Sequence, residues 1–209
     1  MQYVSTRGDK NARAFTDISF TAFAPDGGLW MPDEVPQVTP EKLHTWLGTD
    51  YAGLAFEIFH LFAPEIPRRD LWTLCRDAYQ PKEFSFRRNP FDAEAVTPVT
   101  WLRDGVALLE LSNGPTLAFD DLSLRFASLY YERILPEEKR PRILLGATSG
   151  DMGASAAHHF ANIPGVDLVL VSPKDRMSQC QARILYNEIA PNAVSYTHLR
   201  AHETRSNLV

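Results

Sequence analysis

The chain has 209 residues, 44% hydrophobic and 22% charged, an ordinary globular composition with room for one domain or two small ones. Lys and Arg number 21 against 26 for Asp and Glu, giving a formal charge of −5 and no basic excess to draw a phosphate backbone, so nucleic acid is not an expected partner. The longest apolar runs, 106–109 and 168–171, fall far short of the roughly 20 residues that cross a bilayer, so no membrane span is expected.

The first thirteen residues carry Arg7, Asp9, Lys10 and Arg13 with no apolar stretch behind them, which does not read as a secretory signal. Between 39 and 79 the pattern is helical. Leu43, Trp46 and Leu47, then Leu54, Ile58, Phe59 and Phe62, then Leu71, Leu74, Cys75 and Ala78 recur at spacings of three and four, each set fitting one buried stripe. Pro64, Pro67 and Pro81 interrupt these stripes, which predicts short helices packed in a small N-terminal domain over 1–95. The aromatics Phe56, Phe59, Phe62 and Trp72 share the helical spacing and are expected in the core. Arg68-Arg69 and Arg87-Arg88 read as solvated surface. Cys75 and Cys180 are too few and too isolated for a disulfide framework or a cysteine zinc site, which fits a reducing cytoplasm.

The proline- and threonine-bearing segment at 90–98 marks a boundary. Beyond it strands and helices alternate. An apolar run at 106–111 has strand length, Leu122, Phe126, Leu129 and Ile134 form a helical stripe, and a strand follows at 143–145. A helix at 154–161, a strand at 168–171 and a helix at 178–189 complete the pattern. Such alternation predicts parallel βαβ units over 96–193, with helices on both faces of the sheet. The stretch 194–209, VSYTHLRAHETRSNLV, has little apolar periodicity and resembles a translated sequencing adaptor, so it is expected to be unstructured or artefactual. His198 and His202 stand four apart within it, but no third ligand is near, and no metal site is expected.

Two strand-to-helix turns could carry chemistry. At 143–153 a buried strand empties into Gly146-Ala147-Thr148-Ser149-Gly150-Asp151-Met152-Gly153, a turn able to offer backbone N–H groups and a positive helix end to a carboxylate or phosphate. Its glycine spacing is not that of a dinucleotide fingerprint and no lysine follows, so an anion-binding module of the nucleotide-sugar kind has only this loop in its favour. The plain reading is that Ser149 and Asp151 cap the helix. At 110–121 a second strand turns at Asn113-Gly114-Pro115, and there Asp120 and Asp121 read as acidic residues in a helix's first turn. Of His158 and His159 on the intervening helix, one is expected to face solvent and the other to pack.

Four segments taken together resemble threonine synthases: Tyr3-Val4-Ser5-Thr6-Arg7-Gly8, Ala24-Pro25-Asp26-Gly27-Gly28-Leu29-Trp30-Met31-Pro32, Gly114-Pro115-Thr116-Leu117-Ala118-Phe119 and Ala147-Thr148-Ser149-Gly150-Asp151, in the same order. The resemblance implies an α/β fold of the tryptophan synthase β-like, pyridoxal-phosphate-dependent class, with a small, mainly helical N-terminal domain and a partial parallel-sheet cofactor domain. It implies conversion of O-phospho-L-homoserine and water to L-threonine and phosphate, with Thr148, Ser149, Gly150 and Asp151 binding substrate and Phe119 and residue 120 at the cofactor. The family's imine-forming lysine follows directly on G-P-T-L-A-F, where this chain has Asp120; a carboxylate forms no imine. Lys10, Lys42, Lys82, Lys139 and Lys174 lie outside both turns. Met152 replaces the threonine usual after Ser-Gly-Asp, exchanging a hydroxyl for a flexible apolar side chain. The family's phosphate-binding glycine loop falls beyond residue 209, so the chain is expected to be a truncated, inactive form. The alternative is a non-catalytic paralogue that binds an amino-acid phosphate or a protein partner.

Overall fold

The computed structural model describes residues 1–87, 89, 91, 93–138 and 141–198; Arg88, Lys139 and His202 lie outside them. The chain divides into two compact units, Met1–Asp77 and Ala78–Val209.

In the first unit β1 (Tyr3–Ser5) pairs antiparallel with β2 (Trp30–Pro32), Tyr3 opposite Pro32. The turn before β2 is held by the carboxylate of Asp26, which accepts hydrogen bonds from Ser5 Oγ at 2.6 Å and from the amides of Asp9 and Gly28 at 3.0 Å. A Cβ on Gly28 would meet Ser5 Oγ at 2.0 Å, so this close crossing requires glycine. A short helix, α1 (Phe15–Ile18), lies between the strands. The predicted helices follow as α2 (Pro40–Thr45), α3 (Tyr51–Phe62) and α4 (Arg68–Ala78). Thr39 and Asp50 cap α2 and α3 by accepting from the amides of Lys42 and Gly53.

Burial departs from the predicted stripes on two of these helices. Leu71, Leu74, Cys75 and Ala78 of α4 are buried as expected, whereas Leu43 and Leu47 are 54% and 72% exposed. On α3 the buried positions are Ala52, Gly53, Ala55 and Phe56, while Ile58 and Trp72 (the latter on α4) stay exposed. The buried face of α3 therefore consists of small residues together with Phe56, whose ring meets that of Trp72 edge-on, and excludes its larger aliphatic side chains.

In the second unit β3 (Val99–Arg103) and β4 (Val106–Leu109) form an antiparallel hairpin, turning at Gly105 with φ +73°. The run expected as the first strand of the parallel sheet therefore belongs to a separate, exposed ribbon. After α5 (Asp120–Glu138) the parallel sheet comprises β5 (Arg142–Ala147), β6 (Val166–Pro173) and β7 (Ala193–His198), in the order β5-β6-β7. The connections are α6 (Asp151–His159) and α7 (Gln179–Asn187). Of the stretch 194–209, residues 194–198 belong to β7 and pair in register with β6, Val194 opposite Val169 and Tyr196 opposite Val171; 199–209 lie outside the described residues. His198 ends β7, and its partner in the spaced pair, His202, lies outside the described residues.

Strands added in sequential order by right-handed crossovers place every crossover helix on one face. The core accordingly joins Ala154, Ala156 and Ala157 of α6 to Leu168 and Leu170 of β6 and Leu185 of α7. On the opposite face Ile143 and Leu145 are 70% and 68% exposed, so the expectation of helices on both faces is not met among the described residues.

Candidate functional site

The turn ahead of α5 is built around a glycine and a buried acid. Asn113 donates from Nδ2 to the carbonyl of Phe86 at 2.7 Å, and its own carbonyl accepts from the Phe86 amide. A Cβ on Gly114 would stand 2.3 Å from Asp121 Oδ2, which explains the glycine. Leu117 takes a left-handed conformation at φ +63°, which swings the chain so that Ala118 is buried while Phe119, predicted beside the cofactor, is 65% exposed.

Asp120 opens α5 half-buried. Partial burial, joined by the charges of Asp151 and Asp121, raises its carboxyl pKa above the ordinary range. Residue 120 and the loop at the head of α6 thus lie within each other's electrostatic reach. The residues present do not fit a cofactor held as an imine at this position: the group is an acid among acids, and no described lysine lies in either turn.

Asp121 lies in the first turn of α5, as the sequence implies, and it is also buried. Its side chain has no solvent exposure and accepts from the Thr116 amide at 2.9 Å, Thr116 Oγ1 at 2.7 Å and Ser155 Oγ at 2.7 Å. His159 Nε2 lies 3.2 Å from the same carboxylate. Burial opposes ionisation of Asp121, but these hydrogen bonds outweigh it and hold the acid below its ordinary range. His159 moves down because burial disfavours the imidazolium more than Asp121 favours it, and a proton on Nε2 is the one that would face the Asp121 carboxylate. His158 is half-buried with Nδ1 2.7 Å from Glu188 Oε2, so of the two histidines His159 packs.

The loop at 148–151 continues from β5. Thr148 is buried, its amide donating to the carbonyl of Val171 at 2.9 Å. Its hydroxyl oxygen accepts from the amides of Gly150 at 3.0 Å and Gly153 at 2.8 Å. The helix boundary is Gly150, with φ +136° and no side-chain cap, so the expectation that Ser149 or Asp151 caps α6 fails; Thr148 does the corresponding work from farther out. Ser149 is exposed, and Asp151 accepts from Gln181 Nε2 at 3.0 Å through its exposed carboxylate. Met152 packs against the core below the loop. The charge of Asp151 is felt at Asp120, and the buried groups Asp121, Thr116, Ser155 and His159 tie α5 and the turn before it to α6.

Threonine synthases match this chain over most of its length. Residues 2–79 match the family model described as threonine synthase N terminus. The chain is 36% identical to threonine synthase of Methylobacillus glycogenes over 187 residues, covering 90% of this chain and 39% of that protein. It is 35% identical over 183 residues to threonine synthase-like 2 of Xenopus laevis, covering 87% of this chain and 37% of that protein. Among solved structures, the pyridoxal-phosphate-bound threonine synthase of Brucella melitensis superposes with a TM-score of 0.76 at 34% identity, over 88% of this chain and 38% of that one. Yeast threonine synthase superposes with a TM-score of 0.79 at 30% identity, over 94% and 40%. The chain therefore spans about two fifths of the length of the relatives it matches. Its α/β fold is that of the tryptophan synthase β-like class, and it is a threonine synthase-like chain that corresponds in sequence and structure to the N-terminal part of that family.

Proposed function

We propose that this chain recognises O-phospho-L-homoserine, or a closely related amino-acid phosphate, at the 148–151 loop without converting it to threonine. The observation that carries this reading is the acid at residue 120, within electrostatic reach of the loop and lacking the amine that the family uses to hold pyridoxal phosphate. The first turn of α6 and the Ser149 hydroxyl suit a phosphate or carboxylate, and the Asp151 carboxylate suits an ammonium. O-phospho-L-homoserine carries all three groups. The amides of Gly150 and Gly153 are engaged by Thr148 and serve to shape the loop. Phe119 stands exposed beside residue 120 as an apolar neighbour to whatever occupies the space above it.

Two measurements test the reading. Thermal unfolding with O-phospho-L-homoserine should show stabilisation that nucleotides do not reproduce, and Ser149→Ala should reduce it. Incubation with pyridoxal phosphate, borohydride reduction and peptide mapping should find no label in the peptide that contains residue 120, whereas Asp120→Lys should acquire one. Nucleotide-specific stabilisation, or an unlabelled Asp120→Lys variant, counts against the assignment. The absence of an amine at 120 favours binding without turnover over catalysis by this polypeptide.

A further inference from the structure

The two halves of the candidate site, the turn at 113–118 and the loop at 147–153, come from separate segments, and one side chain touches the supports of both. On one side Asp121 accepts from the amide and the hydroxyl of Thr116, five positions away. On the other it accepts from Ser155, 34 positions away, and faces His159 on the next turn of α6. We propose that Asp121 is the positioning residue of the ligand site, fixing the α6 loop against residue 120 through Ser155 and His159. This rests on the reading above, in which the loop holds the ligand.

The chemistry accounts for an acid at this position. Oδ1 receives Thr116 Oγ1, Ser155 Oγ and His159 Nε2, while Oδ2 receives the Thr116 amide, so donors converge on both oxygens. A carboxylate can accept from all of them; an amide of the same shape would turn its NH2 toward at least one donor. The flanking α6 residues Gly153, Ala154, Ala156 and Ala157 are small and buried, which allows close packing but gives little polar definition of where the helix sits. Ser155 and His159 supply that definition. Ser155 lies two residues beyond Gly153, whose amide is bound to Thr148 Oγ1, so a shift of α6 at 155 is passed to the substrate-side loop through a continuous set of hydrogen bonds.

The test uses the full chain with Asp121→Asn, Thr116→Val and Thr116→Ser. Two quantities are read: the amide NMR shifts of Ser149, Gly150 and Gly153, and the calorimetric affinity for O-phospho-L-homoserine. Asp121→Asn and Thr116→Val should move those loop amides and weaken binding by about tenfold or more, the effect of losing one charge-assisted hydrogen bond. Thr116→Ser keeps the hydroxyl and should leave both readings close to wild type. The proposal is overturned if the first two variants disturb only the 113–118 resonances and leave loop shifts and affinity unchanged. Should Asp121→Asn fail to fold, Thr116→Val against Thr116→Ser decides alone. If the wild-type chain binds no O-phospho-L-homoserine, the functional reading falls while the loop shifts still decide whether Asp121 positions the loop.

Discussion

Asp120 and Asp121 are adjacent in sequence and opposite in circumstance, and neighbouring donors make the difference. Asp121 is surrounded by hydroxyl, amide and imidazole donors that favour its charge, whereas Asp120 meets partial burial and two other acids that oppose it. A carboxyl whose folded pKa is raised adds stability below its unfolded value and loses that contribution as pH rises through the folded value. Ionised Asp120 is therefore a burden near neutrality. The melting temperature of Asp120→Asn relative to wild type should be more favourable at about pH 7 than at about pH 3, measured by calorimetry. The two cysteines give a second contrast. Burial pushes the Cys75 thiol up to about 12, while Cys180 is exposed, so a thiol reagent should titrate Cys180 in the native protein and both after denaturation.

Among the elements, the head of α6 is where backbone conformation and packing impose the tightest requirement. Gly150 combines a φ of +136° with a Cβ position 2.7 Å from Cβ of Gln181, so Gly150→Ala must strain both the loop and α7. A loss of about 1–3 kcal/mol in urea unfolding is expected. The helices α2 to α5 were legible because their apolar residues recur at helical spacing, and α6 and α7 because they follow aliphatic runs of strand length. The strands β5 and β6 were legible as short aliphatic runs between turns. β3 and β7 were not: Val99–Arg103 acquires meaning only through its partner across Gly105, and Ala193–His198 only through pairing with β6. Within the proposed site, residue 120 and the loop at 148–151 rest on motif resemblance, whereas the hydrogen bond from Ser155 to Asp121 joins residues that no local pattern links.

For the molecule as a whole, the sheet has an inside and an outside of very different energetic weight. Leu170 is fully buried under α6 and α7, and Leu170→Ala should cost about 2–5 kcal/mol by denaturant unfolding. The double change Ile143→Thr and Leu145→Thr should cost less than about 1 kcal/mol and should lower the fluorescence of a hydrophobic dye bound to the native protein.

This one-sidedness follows from strand order and has a geometric corollary. Among the described residues β5 is an edge strand, and its free edge faces away from β6. A further parallel strand laid there would run the winding backwards, and a right-handed crossover would then carry its helix across Ile143 and Leu145. Reversals of winding open a crevice just past the carboxyl ends of the strands that flank them. The carboxyl end of β5 is Ala147, so extending the sheet on this side would enclose Thr148 to Asp151 within a cleft while covering the bare apolar face.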